Sequence, residues 1–360
     1  MGKRVLISGL GLMGGSLAMA LKRLAPELEL YGYDLPQVMD EALRRGIIQQ
    51  KLPNWPDSAR EMDIVFLATP LRILKQHLKE LNGVVGKKTI VTDMGSTKTE
   101  LEELVKKLGF SGTFIGGHPM TGAEKSGLQA ANPLLYENAV YILTGVDDQN
   151  RTQVNRQLLP LLNQLKARVL LLNAKEHDAI LAVISHLPQL LAIDLVNLVG
   201  QKQKDELPYF ELAAGGFRDL TRIASSSYHI WQDIIASNRD NIRGVLKDFI
   251  EILQGNMEGL DDLSSDFSRA NTLHARVPRA GKGFLTPLVD VMVYVTDEMG
   301  VIAKIANALA EHEIDIRDME LLKIREKEGG VFRLSFGNTH QAATAVRVLN
   351  EIGYQASIKE

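Results

Sequence analysis

Cysteine is absent from all 360 residues, which removes disulfides, thiolate nucleophiles, iron–sulfur clusters and cysteine-based zinc fingers at once. An excess of either charge is also lacking. The 41 Lys plus Arg stand against 44 Asp plus Glu, a net charge of −3, whereas a nucleic-acid coat or a polybasic membrane anchor needs a marked cationic excess. No apolar run approaches the roughly 18 residues that span a bilayer. The apolar stretch behind the basic N-terminus is cut by Gly9, Gly11, Gly14 and Gly15, so neither a signal peptide nor a membrane partner is expected, and the expected compartment is the cytoplasm. No histidine and carboxylate pair has ligand spacing on one helical face, so no metal site is expected. What is present, 45% hydrophobic and 24% charged residues, is the balance of a folded globular chain, and the length calls for two or three domains.

The first half alternates short β-branched runs with helix-period segments, the pattern of a parallel sheet flanked by helices. Strands are expected at Arg4–Ser8, Leu28–Tyr33, Asp63–Ala68, Thr89–Asp93, Thr113–Gly116, Val140–Thr144 and Arg168–Leu172. Residues 174–272 read as helix after helix, and residues 273–286 as a basic linker. From 287 to 360 the order strand, helix, strand, strand, helix, strand is the split βαβ arrangement of a ferredoxin-like module. The expected fold is thus a Rossmann-type doubly wound α/β domain (1–173), an all-α substrate and dimerisation domain (174–272) and a small α+β domain (287–360). The apolar segment Ala179–Val199 exceeds what one small domain buries and points to a homodimer.

After the first strand comes Gly9-Leu-Gly11-Leu-Met-Gly14. Its first glycine permits a tight turn, its second lets backbone approach a pyrophosphate, and its third lets helix and strand pack closely. The helix beginning near Leu12 and Met13 aims free N–H groups at the phosphates. Asp34 ends the second strand where a ribose-binding carboxylate belongs, and no Arg follows it before Arg44, which favours NAD over NADP. Two further strand ends carry polar residues where open sheets bind ligands. One is Asp93-Met-Gly-Ser96-Thr-Lys98 and the other Gly116-Gly-His118-Pro-Met-Thr-Gly-Ala-Glu124. His118, between paired glycines and a proline, is expected in a loop, and its ordinary pKa near neutrality suits acid–base work. The remaining histidines, His77, His177, His229, His274, His312 and His340, stand in no site context.

Five segments together resemble the prephenate/arogenate dehydrogenase family over about residues 1–285: Gly9-Leu-Gly-Leu-Met-Gly-Gly-Ser16, Asp93-Met-Gly-Ser-Thr-Lys98, Gly116-Gly-His-Pro-Met120, Ser185-His-Leu-Pro-Gln189 and Gly215-Gly-Phe-Arg-Asp-Leu-Thr-Arg-Ile-Ala224. The tail, with Val295-Thr-Asp-Glu-Met-Gly-Val-Ile-Ala303, resembles an ACT domain. The resemblance implies NAD-dependent oxidative decarboxylation of prephenate, with the cofactor held by Gly9, Gly11, Leu12, Met13, Gly14, Asp34, Thr69 and Ser96. It further implies that His118 accepts the substrate hydroxyl proton, or a strong hydrogen bond from it, while Ser96 orients the nicotinamide or His118. Arg222 becomes a carboxylate ligand, Asp219 three residues earlier its support, Trp231 a pocket wall, and Glu124 a gate or cation partner. Ala123 stands where some members carry a hydroxyl residue. His186 reaches the substrate or else merely interrupts an apolar helix beside Pro188. The ACT-like tail implies control by a small amino acid, tyrosine, received by Asp297, Gly300, Asp315 and Asp318.

Two rivals share parts of this pattern. A β-hydroxyacid dehydrogenase joins a Rossmann domain to helices but uses a helix-borne lysine, which fits less well than the His118 and Arg222 segments. A non-catalytic NAD sensor has no use for a proton acceptor. Prephenate against arogenate and the partner of His118 stay open at the level of sequence.

Overall fold

A computed structural model describes residues 2–122, 125–203, 207–277, 288–325 and 329–359, with backbone alone for 323–325. Glu124 and residues 278–286 of the expected linker lie outside the described residues. The N-terminal elements are β1 (Arg4–Ser8), α1 (Leu12–Leu24), β2 (Glu29–Tyr33), α2 (Pro36–Arg44), β3 (Gln50–Lys51), β4 (Ile64–Leu67), α3 (Leu71–Leu81), β5 (Ile90–Asp93), α4 (Thr99–Leu108), β6 (Thr113–Pro119), β7 (Val140–Thr144), α5 (Arg151–Gln157), α6 (Leu159–Gln164) and β8 (Arg168–Leu171). They form one eight-stranded sheet in the order β3-β2-β1-β4-β5-β6-β7-β8, parallel except where β7 runs antiparallel to β6. Every residue of β4 and β5 is buried, as continuous apolar strands covered on both faces must be. Two apolar clusters, one containing Leu17, Leu21 and Phe66 and the other Leu74, Leu78 and Leu101, supply that cover. The strand order reverses between β1 and β4, which opens a ligand crevice at their carboxyl ends.

The structure departs from sequence expectation at β6. It runs through Gly116, Gly117, His118 and Pro119, each paired with β7 from Thr144 back to Tyr141, so His118 is a strand residue and not a loop residue. The glycines make this possible by close approach. A Cβ on Gly116 would strike Thr144 Oγ1, and one on Gly117 would strike the Asp93 carbonyl.

The helical elements are α7 (Ala174–Leu181), α8 (Leu187–Lys202), α9 (Gly215–Thr221), α10 (Tyr228–Ser237), α11 (Arg239–Glu258) and α12 (Ser264–His274). Asn173 caps α7 in a reciprocal box with Glu176, which satisfies two amide groups of the first turn. A π-helical turn, Ala182–His186, joins α7 to α8 without a break. Pro188 falls in the first turn of α8, where its missing N–H is tolerated. Ala174–Lys202 is thus one rod with a mean hydropathy of 1.9 over its most apolar window, and it is long and apolar enough to cross a membrane by length and composition alone. That corrects the expectation that no segment reaches that size: His186, Gln189 and Asp194 interrupt the apolar run but not the helix.

Residue contacts divide the chain between Leu260 and Asp261. The second unit contains α12 and, after it, β9 (Val289–Val295), α13 (Val301–Glu311), β10 (Asp318–Arg325), β11 (Gly329–Phe336), α14 (Thr339–Glu351) and β12 (Gln355–Ile358). Their antiparallel order β10-β11-β9-β12 is that of the split βαβ module, with a core of its own around Val291, Leu309, Leu334 and Leu349.

Candidate active site

The glycine loop has the form its spacing requires. Gly9 adopts φ +94° with the Ala68 carbonyl 2.6 Å from any added Cβ, and a Cβ on Gly14 would strike the Gly9 carbonyl. Gly11 begins α1 with no side-chain cap and no acidic residue in the first turn, so the amides at Leu12 and Met13 face the loop as a positive helix end. Asp34 closes over the loop, accepting the Leu10 and Leu35 amides at 2.6 Å each. Thr69 flanks Gly9, and its buried hydroxyl has no hydrogen-bond partner among the described residues. A buried hydroxyl without a protein partner is open to a bond from a bound group, and with the open amides of the glycine loop these residues fit a dinucleotide.

At the same edge of the sheet, β6 presents His118, which is 9% exposed. Its Nδ1 lies 2.8 Å from Nε2 of His177, whose Nδ1 lies 2.8 Å from Asp178 Oδ1. Asp178 also accepts the Lys98 and Thr99 amides at 2.8 Å each. Burial resists its charge, yet hydrogen bonds from His177, Thr99 and Lys98 prevail and hold its carboxyl below the usual carboxylate range. Burial first, then the charges of Lys98, His177 and His186, push His118 well below the ordinary imidazole range against the pull of Asp178. His118 is therefore neutral at physiological pH. Beneath it, buried Lys98 bonds to Asp93 and donates to the Gly117 carbonyl at 2.7 Å. Ser96 is half-buried on the β5–α4 connection, and among the described residues its hydroxyl makes no hydrogen bond.

Sequence reasoning passed over His177, which fills the open place beside His118. The available signal was the His-Asp pair one turn into a well-capped helix. It also passed over Asn238, which has no sequence signature. Asn238 Nδ2 donates to the Asp178 carbonyl at 2.7 Å and lies 3.1 Å from His186 Nδ1. Because a carbonyl can only accept, the amide orientation is fixed. His186 Nδ1 then accepts and its Nε2 carries the proton. Burial depresses His186 to about 4, and the Trp231 ring meets it edge-on at 5.9 Å. His186 thus sits buried between Asn238 and Trp231 at the end of a π turn, a feature common at functional sites.

Asp219 and Arg222 are both exposed, and α9 ends between them, Arg222 opening a short 3-10 turn to Ser225. The expected single helical face is thereby interrupted. Gln189 ties this turn to α8, donating to the Ile223 carbonyl at 3.0 Å. Arg218 donates to the Ala213 carbonyl at 3.1 Å.

In the second unit, a cavity of about 290 Å³ is lined by Asp297, Gly300, Ile302, Ala303 and Phe332 among others. Gly300, at φ +92°, starts α13. Asp315 and Asp318 do not line it. Their carboxylates face Arg317 and Arg333, each at 3.3 Å.

Residues 17–171 match the family model of the prephenate dehydrogenase nucleotide-binding domain, 173–266 that of the prephenate dehydrogenase dimerization domain, and 289–354 that of the ACT domain. The chain belongs to the prephenate dehydrogenase family. The prephenate dehydrogenase of Bacillus subtilis (strain 168) is 34% identical over 92% of this chain and 91% of its own length. That of Lactococcus lactis subsp. cremoris (strain MG1363) is 35% identical over 97% and 98%. Among solved structures, Aquifex aeolicus prephenate dehydrogenase in complex with hydroxyphenyl propionate and NAD+ superposes with a TM-score of 0.69 at 29% identity, covering 76% of this chain and 98% of that one. Synechocystis arogenate dehydrogenase does so with a TM-score of 0.67 at 26% identity, over 76% and 99%. As a member of the prephenate dehydrogenase family, the protein is an NAD-dependent oxidoreductase.

Proposed function

We propose that the enzyme converts prephenate to 4-hydroxyphenylpyruvate and CO2, acting in the cytoplasm as a homodimer under feedback from tyrosine. The observation that carries the reaction is a buried, neutral His118 at the same sheet edge as the nucleotide crevice. Bound NAD supplies the hydride acceptor. In the substrate, the bond from the ring to its carboxylate breaks and its electron pair enters the ring. The C–H pair at the carbinol carbon leaves as hydride, and the hydroxyl remains as the phenol. Aromatisation drives this change, so the protein has no need of a strong base. His118 takes up the hydroxyl proton, in full or as a strong hydrogen bond, while positive charge develops at the carbinol carbon, then returns it. His186 Nε2–H and the Arg222 guanidinium suit the carboxylates of the substrate, Trp231 walls the pocket behind His186, and Ser96 orients the nicotinamide.

Homodimerisation is supported by the match to the dimerization-domain model and by Ile184, Leu220, Ile230 and Met257, large apolar side chains exposed on the helical region. Nicotinamide absorbance on mixing enzyme and NAD with prephenate, and separately with arogenate, tests the substrate. Turnover of arogenate alone would replace prephenate in this reading. For tyrosine, the cavity at Asp297 and Gly300 offers amide groups at the start of α13 to a carboxylate. Ala303→Phe, which fills that cavity, should abolish inhibition by tyrosine while leaving turnover intact. Undiminished inhibition would mean that tyrosine competes at the active site.

A further inference from the structure

The hydrogen-bond chain behind His118 has a direction. Asp178 receives two main-chain amides, from Lys98 and Thr99, and amides can only donate. Both carboxylate oxygens are therefore acceptors, and the 2.8 Å contact at Oδ1 requires the proton to sit on His177 Nδ1. In a neutral His177 ring the opposite nitrogen, Nε2, is then a bare lone pair. That lone pair lies 2.8 Å from His118 Nδ1, so His118 must carry its proton there. His118, His177 and Asp178 are 9%, 0% and 1% exposed, so the links are sheltered from bulk solvent.

We infer that His177 and Asp178 are positioning residues that lock His118 in the Nδ1–H tautomer, leaving its Nε2 lone pair for the substrate hydroxyl. This rests on the reading above that His118 accepts that proton. The competing state is a doubly protonated His177. It would make His118 Nδ1 the acceptor and put an N–H at Nε2, and such a ring offers no lone pair to the substrate hydroxyl. When His118 accepts the proton, its Nδ1–H still points at His177, and the negative charge of Asp178 lies one ring away. No proton leaves the pair, and the developing imidazolium is balanced inside a buried site. The other charged or titratable groups facing His118 are Lys98, before α4, and His186, in the π turn. Both oppose its protonation, which leaves Asp178 as the counterweight.

The architecture supports the lock. Both residues come from one turn of α7, whose start is fixed by the Asn173–Glu176 box. The main-chain carbonyl of Asp178 is held by Asn238, and its carboxylate binds the start of α4. Three elements thereby converge on the single ring that sets the state of His118.

The test is the NAD-bound enzyme labelled with 15N-histidine, without substrate, with the His118 signals identified by their loss in His118→Asn. A proton-bearing Nδ1 and a bare Nε2 on His118 are expected, and a proton on Nε2 would overturn the inference. In Asp178→Asn the amide can donate to His177, which reverses both rings, so the bare nitrogen of His118 should move to Nδ1. The kcat with prephenate should fall by about 10²–10⁴-fold with KM for NAD unchanged. His177→Gln, whose side-chain carbonyl can accept Nδ1–H, should keep kcat within about tenfold of the parent, while His177→Leu should lose as much as Asp178→Asn. Equal losses in Gln and Leu would overturn the lock even if Asp178→Asn does not fold. Because the tautomer is read without substrate, a bare Nε2 in an enzyme inert towards prephenate would reject the substrate assignment and leave the lock standing.

Discussion

Lys98 donates to the main-chain carbonyl of Gly117, the residue immediately before His118, at 2.7 Å. Both Lys98 and its ion-pair partner Asp93 are fully buried. Asp93 in turn accepts the Gly117 amide at 3.0 Å and the Gly95 amide at 2.7 Å, so one ion pair grips both main-chain polar groups of Gly117. Removing one member of a buried pair leaves the other charge unmatched and costs about 3–5 kcal/mol. Lys98→Met should lower stability by that order in denaturant unfolding of the NAD-bound enzyme. A loss below about 1 kcal/mol would show that the Gly95 and Gly117 amides alone satisfy Asp93.

Asp34→Ser should weaken NAD and relax discrimination against NADP. The carboxylate that would accept ribose hydroxyls and repel a 2′-phosphate disappears, and so does the acceptor that holds the Leu10 amide. A hydrogen bond to a charged group is worth about 1.5–3 kcal/mol, so the ratio of kcat/KM for NAD over NADP should drop at least about tenfold. An unchanged ratio would reduce Asp34 to a structural anchor for the glycine loop.

Arg222→Ala should raise KM for prephenate by tens to thousands of fold, on the order of 2–5 kcal/mol for a charge pair desolvated by the bound substrate, with KM for NAD little altered. Arg218→Ala should have a much smaller effect, since its Nε is already spent on the Ala213 carbonyl. Steady-state kinetics of the two variants side by side decide this. If Arg218→Ala carries the larger penalty, the carboxylate ligand has been assigned one turn too late.

Acid should destabilise the fold through its buried neutral histidines. His118, His186 and His77 all have folded pKa values below the ordinary imidazole value, chiefly through burial, with His186 at about 4. In the unfolded chain they titrate near about 6.5. Below that value the unfolded state binds more protons, so their contribution is fully present above about pH 6.5 and shrinks as the pH falls towards 4. Urea midpoints of the NAD-bound enzyme should decline steadily from about pH 7 to about pH 5. A midpoint that is flat or rises over that span would mean these rings are protonated in the native state.

Much of this was legible in the amino-acid order, because local signals agreed with the fold. β1 and β7 begin and end at the expected residues, since their apolar β-branched runs are closed by Gly9 and Gly145. The glycine loop, Asp34 and the split βαβ tail carried their own punctuation. Legibility failed where structure is imposed across the chain. Gly116, Gly117, His118 and Pro119 have little strand propensity of their own, and β7 supplies their pairing. The two-residue β3 is too short to carry a pattern. His177 looked like an ordinary helix residue because its partner, His118, is 59 positions away. Asn238 acts through side-chain geometry at the start of α11, which no spacing rule reports.

The π turn at Ala182–His186 sets a condition on chain length that is independent of composition. Such a turn is a helix holding one residue beyond its regular ladder, and each residue of an α-helix advances about 100°. The rod from Ala174 to Lys202 therefore has two phases, one that aims His177 and Asp178 at His118 and another that brings Gln189 to the Ile223 carbonyl. Were the same five residues to wind as regular α-helix, everything from Leu187 onward would swing about 100° out of phase with Asp178. The helix would lose nothing in regularity, yet the Arg222 turn would lose its tether to Gln189. For this window, inserting one further residue should abolish turnover in a protein that still folds, whereas many same-length apolar substitutions at the exposed Val183 and Ile184 would pass unnoticed.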